Sequence, residues 1–136
     1  MTEAYNHEKN LCFHCTGKHL SRIVKAIDAG VVFIDPSDPF TKVEYLIFEL
    51  ADYDVRRKLE NFKNFDNAWV LRALHHVAVG INQLHTIGVA HQDLKPSNVL
   101  VFYKEGSKVA DLGCASFKNA LNPYPLSRPN FPLYLV

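Results

Sequence analysis

Apolar residues recur along the chain at two periods, and the two periods assign its elements. Val70, Leu74, Val77, Ile81 and Leu84 follow one another at spacings of four, three, four and three. That places them on one face of a helix, with Asp66 or Asn67 suited to cap its start and Gly88 to end it. Upstream, residues 24–34 and 43–50 are dense in Val, Ile, Phe and Tyr, and the turn formers DPSDPFT lie between them. These read as two antiparallel strands with a long connection. His7 to Cys15 reads as a helix that Gly17 breaks, and Asp54 is placed to cap a short charged helix, VRRKLENF. After the long helix come a loop, a strand from Val99 to Tyr103, a turn at EGSK, and a second strand into Ala110. Pro123, Pro125, Pro129 and Pro132 forbid long regular structure, so 123–136 reads as an irregular tail.

Within VAHQDLKPSNVLVFYKEGSKVADLGCAS, polar residues interrupt this pattern at fixed places. Asp93, Lys95 and Asn98 precede the first strand, and Asp111 follows the second. A hairpin returns the chain to its origin, so Asp111 is expected beside the Asp93 loop. Two carboxylates, an amide oxygen and an ammonium at one spot suit a phosphate with Mg²⁺: oxygens hold the hard cation, and the lysine meets phosphate as a compact charge.

Composition narrows the field. At 136 residues the chain holds one domain with a core, not two ordinary ones. A net charge of +1 gives no reason to expect nucleic acid or an acidic membrane as partner. No apolar run is long enough to cross a bilayer, and MTEAYNHEKN carries no hydrophobic signal segment, so a cytoplasmic location is expected. Three cysteines do not make a disulfide framework.

HQDLKPSN followed by DLG resembles the catalytic loop and metal-binding motif of eukaryotic-type protein kinases, H-R-D-L-K-P-x-N and D-F-G. The resemblance extends through the preceding helix to EYLIFELADYD, which is similar to the strand and hinge between the two kinase lobes. Lys-Pro after Asp93-Leu94 is the serine/threonine pattern. The resemblance implies an α+β, kinase-like fold in truncated form. Residues 1–122 form a partial domain, divided into an N-lobe remnant at 1–50 and part of the helical C-lobe at 51–122. It implies ATP and Mg²⁺ as cofactors and a protein serine or threonine as substrate.

The same resemblance implies roles. Asp93 receives or orients the substrate hydroxyl proton, Lys95 steadies the transferring phosphate, and Asn98 and Asp111 hold the metal. Leu100 lies under adenine, the backbone of Glu49 and Ala51 bonds its edge, and Phe48 stands behind the nucleotide. Gln92 replaces an arginine that pairs with a phosphorylated activation loop in many kinases; a neutral amide makes no such charge-assisted contact. Leu112 replaces the phenylalanine of D-F-G and keeps its apolar character. Glu8 is the candidate for the αC glutamate. No G-x-G-x-x-G, V-A-I-K or A-P-E occurs in the 136 residues. The expected function is therefore a serine/threonine kinase-like domain with little activity on its own. A regulatory module that binds nucleotide without turnover is the second reading, and an unrelated α+β domain with a coincidental motif the third.

Other residues have plainer readings. His91 is expected to bridge loop and core rather than to act in chemistry. Cys12 and Cys15 form a C-x-x-C with His19 nearby, yet a structural zinc site needs four ligands, and ordinary packing is the expectation. Cys114 is expected to pack, His75 and His76 to lie at an edge of the long helix, and Arg56, Arg57 and Lys58 to form a solvated face. Apolar surface left uncovered is expected to favour self-association.

Overall fold

The computed structural model describes residues 2–61 and 66–117; the tail expected to be irregular lies outside them. Thr2 opens the first helix, α1 (Glu3–Gly17), by accepting a hydrogen bond from the Tyr5 N–H at 3.3 Å. Leu11, Cys12 and Cys15 share its inward face and are buried. Strands β1 (Ala26–Phe33) and β2 (Lys42–Phe48) pair antiparallel, Val32 opposite Val43, with an irregularity between Ala26 and Asp28. Their connection is organised by two aspartates. Asp35 Oδ1 accepts from the Ser37 N–H (2.9 Å), and Asp38 Oδ1 accepts from the Phe40 N–H (2.9 Å) at the start of a 3-10 turn. The Tyr5 hydroxyl lies 2.9 Å from the Tyr45 carbonyl and 3.1 Å from that of Gly30, which fastens α1 to both strands.

A second sheet has the order β3-β5-β6, from β3 (Tyr53–Asp54), β5 (Val99–Phe102) and β6 (Gly106–Val109), all antiparallel. A third pairs β4 (Val89–Ala90) with β7 (Ser116–Phe117). Between β3 and β4 run α2 (Val55–Asn61) and α3 (Asn67–Thr86). Both start on aspartates: Asp54 Oδ1 accepts from the Arg57 N–H (2.7 Å), and Asp66 Oδ1 from the Ala68 N–H (2.9 Å). Gly88 ends α3 in the left-handed region, at φ 77°.

Residues 22–24 join the layers. Val24 N–H donates to Val109 O (2.9 Å) and Val109 N–H to Arg22 O (2.8 Å), so the segment before β1 runs beside β6. Around this seam α1 contributes Leu11, Cys12 and Cys15 to the core, and α3 contributes Ile81 and Leu84. Ile23, Ala26, Val89, Val109, Leu112 and Ala115 complete it. The architecture is α+β, as expected.

Two expectations differ in detail. The apolar stripe of α3 is buried at Ile81 and Leu84, but Leu74 is 60% exposed. The seam covers only the C-terminal half of the helix, where a Cβ on Gly80 would come within 2.9 Å of Arg22 O. The hairpin turn falls at Tyr103-Lys104-Glu105 rather than EGSK, because Phe102 pairs with Gly106. Gly106 already belongs to β6, with φ 86°, and a Cβ there would lie 2.3 Å from the His76 ring. That ring accepts a hydrogen bond from the Ser107 N–H at 3.1 Å and so is not free to give way. Gly106→Ala is therefore expected to lower unfolding free energy by roughly 1–3 kcal/mol in urea titration. Gly17→Ala, whose Cβ meets nothing within 4 Å, is expected to be near neutral.

Candidate active site

His91 is fully buried, and its two ring nitrogens tie two separate segments together. Nε2 donates to the Ala110 carbonyl at 2.8 Å, and Nδ1 accepts from the Asp93 N–H at 3.2 Å. One donor and one acceptor on the same ring define the neutral tautomer. Burial pushes its pKa below the ordinary histidine value, while the Ala110 carbonyl and the charges of Asp111 and Asp93 oppose the shift. The bridging role expected for His91 is thus what its geometry shows.

Asn98 makes the second tie. Its carbonyl accepts from the Ala110 N–H at 2.8 Å, and its own N–H donates to Lys95 O at 2.9 Å. The side-chain Nδ2 donates to the Asp93 carbonyl (2.9 Å) and to Asp93 Oδ2 (3.3 Å). With the amide nitrogen so committed, the oxygen Oδ1 is the atom Asn98 has for a ligand. Lys95 Nζ stands 3.4 Å from Asp93 Oδ2. Asp93, Lys95 and Asn98 therefore form one cluster, and Ala110 is bound through its N–H to Asn98 and through its carbonyl to His91. This places the start of Asp111 at the same spot.

Backbone strain concentrates here. Gln92 has φ 67° and Asp111 φ 63°, in the left-handed region that side chains rarely adopt. Asp111 is held there by its own carboxylate, which accepts from the Gly113 N–H at 3.1 Å. Gln92 is held by a hydrogen bond from its amide to the Ser116 hydroxyl in β7. Glu8 of α1 approaches from the other side: a Cβ on Gly113 would lie 3.7 Å from Glu8 Oε2. Burial first, and the Asp111 charge second, raise the Glu8 pKa above the usual carboxylate value. Asp111 carboxylate and Asn98 amide oxygens match the hard-oxygen set that Mg²⁺ takes when substrate phosphates and water complete its shell. The residues present fit that ion.

The residues expected to form a hinge, Glu49 and Ala51, lie in the segment linking β2 to β3. Glu49 N–H donates to Lys25 O at 3.0 Å. Its carboxylate accepts from the Lys25 N–H (2.8 Å) and from Lys108 Nζ (2.9 and 3.1 Å). Among the described residues, the Glu49 carbonyl and both main-chain groups of Ala51 have no partner. Phe48 packs against the core, and Leu100 is half-buried in β5. The sequence reading missed Lys108, which is 7% exposed, pairs with Glu49 and Glu105, and lies 4.7 Å from the Phe102 ring centroid. It also missed Ser116 as the partner of Gln92. Nothing in the spacing of either residue signals the contact.

Cys12 and Cys15 pack in the core, where burial pushes their thiols up to about 12 and about 11. Among the described residues, no group of three or more His, Cys, Asp or Glu is placed to hold a metal ion. No helix among them is long and apolar enough to cross a membrane.

The protein kinase domain family matches residues 2–127. This chain belongs to it. Among similar proteins, the "Probable cyclin-dependent kinase 8" of Dictyostelium discoideum is 38% identical over 111 residues, covering 74% of this chain and 27% of that protein. The "Cell division control protein 2 homolog 3" of Trypanosoma brucei brucei is 33% identical, covering 59% of this chain and 26% of its own length. The "Mitogen-activated protein kinase HOG1B" of Wallemia ichthyophaga is 31% identical, covering 75% of this chain and 26% of its own. The chain thus spans about a quarter of the length of the curated relatives it matches.

For this kinase-family chain the buried His91 has a consequence in acid. The unfolded chain takes up a proton at about pH 6.5, and the folded ring resists it until lower pH. Stability contributed by the neutral ring is therefore complete above about pH 6.5 and falls as pH drops below it, by at most about 1.4 kcal/mol per pH unit. In urea titrations at pH 7 and pH 5, His91→Gln is expected to be less stable at pH 7 yet to lose this part of the pH slope. An unchanged slope would show that the ring is not held neutral.

Proposed function

We propose that this chain carries the phosphoryl-transfer site of a protein serine/threonine kinase that uses ATP and Mg²⁺. The observation that supports the reading is the double tie of Ala110 to His91 and Asn98, which brings the DLG aspartate to the Asp93 loop. Mg²⁺, when bound, neutralises charge on the ATP phosphates. Asn98 Oδ1 and the Asp111 carboxylate are the atoms that would hold it. Asp93, its backbone oriented by His91 and Asn98, receives the proton of the attacking serine or threonine hydroxyl. Lys95, already at Asp93, meets the phosphoryl oxygens. Phosphoryl transfer asks mainly for such positioning and charge neutralisation, which is why so small a set of side chains suffices. The unpartnered carbonyl of Glu49 and backbone of Ala51 support an adenine-edge role for the hinge.

The test is a chimera in which this chain replaces the matching part of an active serine/threonine kinase. Asp111→Ala is expected to weaken Mg·ATP binding and remove activity. Asp93→Ala is expected to leave Mg·ATP affinity nearly intact and to cut turnover by roughly two to four orders of magnitude. Unchanged turnover in the second variant, or unchanged affinity in the first, would refute the assignment. Without the phosphate loop and its lysine, the 136 residues alone are expected to bind nucleotide weakly. Gln92, bonded to Ser116, implies that activity in the chimera does not require a phosphate contact at that position.

Self-association is part of the same proposal. Leu71 and Leu74 on α3 are 67% and 60% exposed, and Phe40 and Leu50 are almost wholly so. Sedimentation velocity on the 136-residue chain is expected to show a concentration-dependent coefficient, which Leu71→Glu with Leu74→Glu reduces. A monomer at every concentration would contradict it.

A further inference from the structure

Strand β6 turns two of its residues outward, away from β5, and their main-chain groups find different kinds of partner. Val109 exchanges hydrogen bonds with the backbone of residues 22 and 24. Two residues earlier that seam has run out, and side chains take its place at Ser107. His76 Nδ1 accepts from the Ser107 N–H at 3.1 Å, and Arg22 Nη1 donates to the Ser107 carbonyl at 3.3 Å and to that of Glu105. The imidazole can come this close because residue 106 is glycine: a Cβ there would stand 2.6 Å from Nδ1 itself. The tip of the hairpin is thus held to α3 by one imidazole acceptor.

Nδ1 accepts only while the ring is neutral, with its hydrogen on Nε2. A protonated ring sets N–H against the Ser107 N–H and breaks the tie. Its surroundings oppose the added charge. Burial first, then the charges of Arg22, His75 and Arg72, hold the His76 pKa below the ordinary histidine value. The His75 ring centroid is 6.1 Å away. Lys58 of α2, Tyr53 of β3, and Tyr103, Lys104 and Glu105 of the turn face the same cleft. The acids at the tip are engaged, Glu105 by Lys108 at 3.1 Å and Asp52 by the Tyr103 N–H at 2.7 Å.

We propose that His76 is a proton-operated latch: neutral, it fastens the hairpin tip to α3, and on taking a proton it releases Ser107 and loosens the tip. Loosening passes to the segment linking β2 to β3, because the Asp52 N–H donates to the Val101 carbonyl at 3.0 Å and the Asp52 carboxylate holds Tyr103. The latch requires no assignment of the Asp93 cluster, so its test stands apart from phosphoryl transfer. The released ring takes up its proton at about pH 6.5 and the latched ring at lower pH. Closure is therefore fully favoured above about pH 6.5 and weakens as pH falls through that value.

Amide hydrogen exchange, resolved by nuclear magnetic resonance on the unmodified 136-residue chain, reads the latch at one atom. Between pH 7 and pH 5 the Ser107 protection factor, corrected for intrinsic exchange, is expected to fall about three- to tenfold. His76→Gln keeps an acceptor oxygen and cannot titrate there, so the fall is expected to vanish. His76→Leu is expected to lose Ser107 protection at both pH values, and His75→Gln to leave the fall in place. If the His76 variants do not fold, the unmodified ring decides: its carbon-13 titration is expected to share a midpoint with the Ser107 amide shift, below about pH 6.5. Protection of Ser107 that ignores pH, an equal fall in His76→Gln, loss of the fall in His75→Gln, or a His76 midpoint at or above about 6.5 would overturn the proposal.

Discussion

A single imidazole, kept dry and uncharged, holds the Asp93 loop and the segment of Ala110 together. His91 satisfies a donor from one segment and an acceptor from another, and no water reaches it to substitute for either. A protonated ring would present two donors, so its contact with the Asp93 N–H would become donor against donor. The geometry of the Asp93 loop therefore depends on the ring remaining neutral. Its full burial enforces that state, since removal from water penalises the charged form. Core packing and site geometry are one constraint at this residue.

Around that anchor the structure tolerates strain that would be costly elsewhere. Two left-handed residues with full side chains, Gln92 and Asp111, stand on either side of it, the first secured by a side-chain hydrogen bond to Ser116 and the second by one from the Gly113 N–H within its own turn. Burial, and after it the nearby Asp111 charge, raise the Glu8 pKa above the usual carboxylate value. Two carboxylates brought this near to each other would be stabilised by a cation arriving from outside. The buried Lys108 plays the opposite part beside the segment linking β2 to β3, where its own charge is already balanced by Glu49 and Glu105.

Sequence pattern revealed those parts whose interactions are local or periodic. The four-three spacing along α3 and the apolar runs of β1 and β2 extend over enough residues for the period to show. The caps at Asp54 and Asp66 act on residues two or three positions away. The meeting of Asp93, Lys95 and Asn98 was legible because five residues separate its ends, and that of Asp111 because a short hairpin returns the chain. What stayed hidden is non-local. Strands β3, β4 and β7 have two residues each, and their pairing partners, not their composition, make them strands. Lys108 meets Glu49 across 59 positions and Gln92 meets Ser116 across 24. The uncovered Leu74 was equally invisible, because periodicity shows which face is apolar but not how far a neighbour extends along it.

The fastening of α1 sets how motion passes through the molecule. At its first turn the helix is bound to β1 and β2 through Tyr5 and to Glu44 through Thr2. Toward the DLG segment it reaches by side chains: Glu8 beside Gly113, His7 Nε2 at 2.9 Å from Ala115 O, and the edge-to-face contact of His14 with Phe117. Helix and hairpin are thus bound to each other by hydrogen bonds, while the segment after Gly113 is joined to the helix through side chains. A displacement imposed on the β1–β2 edge would therefore reach Ala115 and Phe117 through α1.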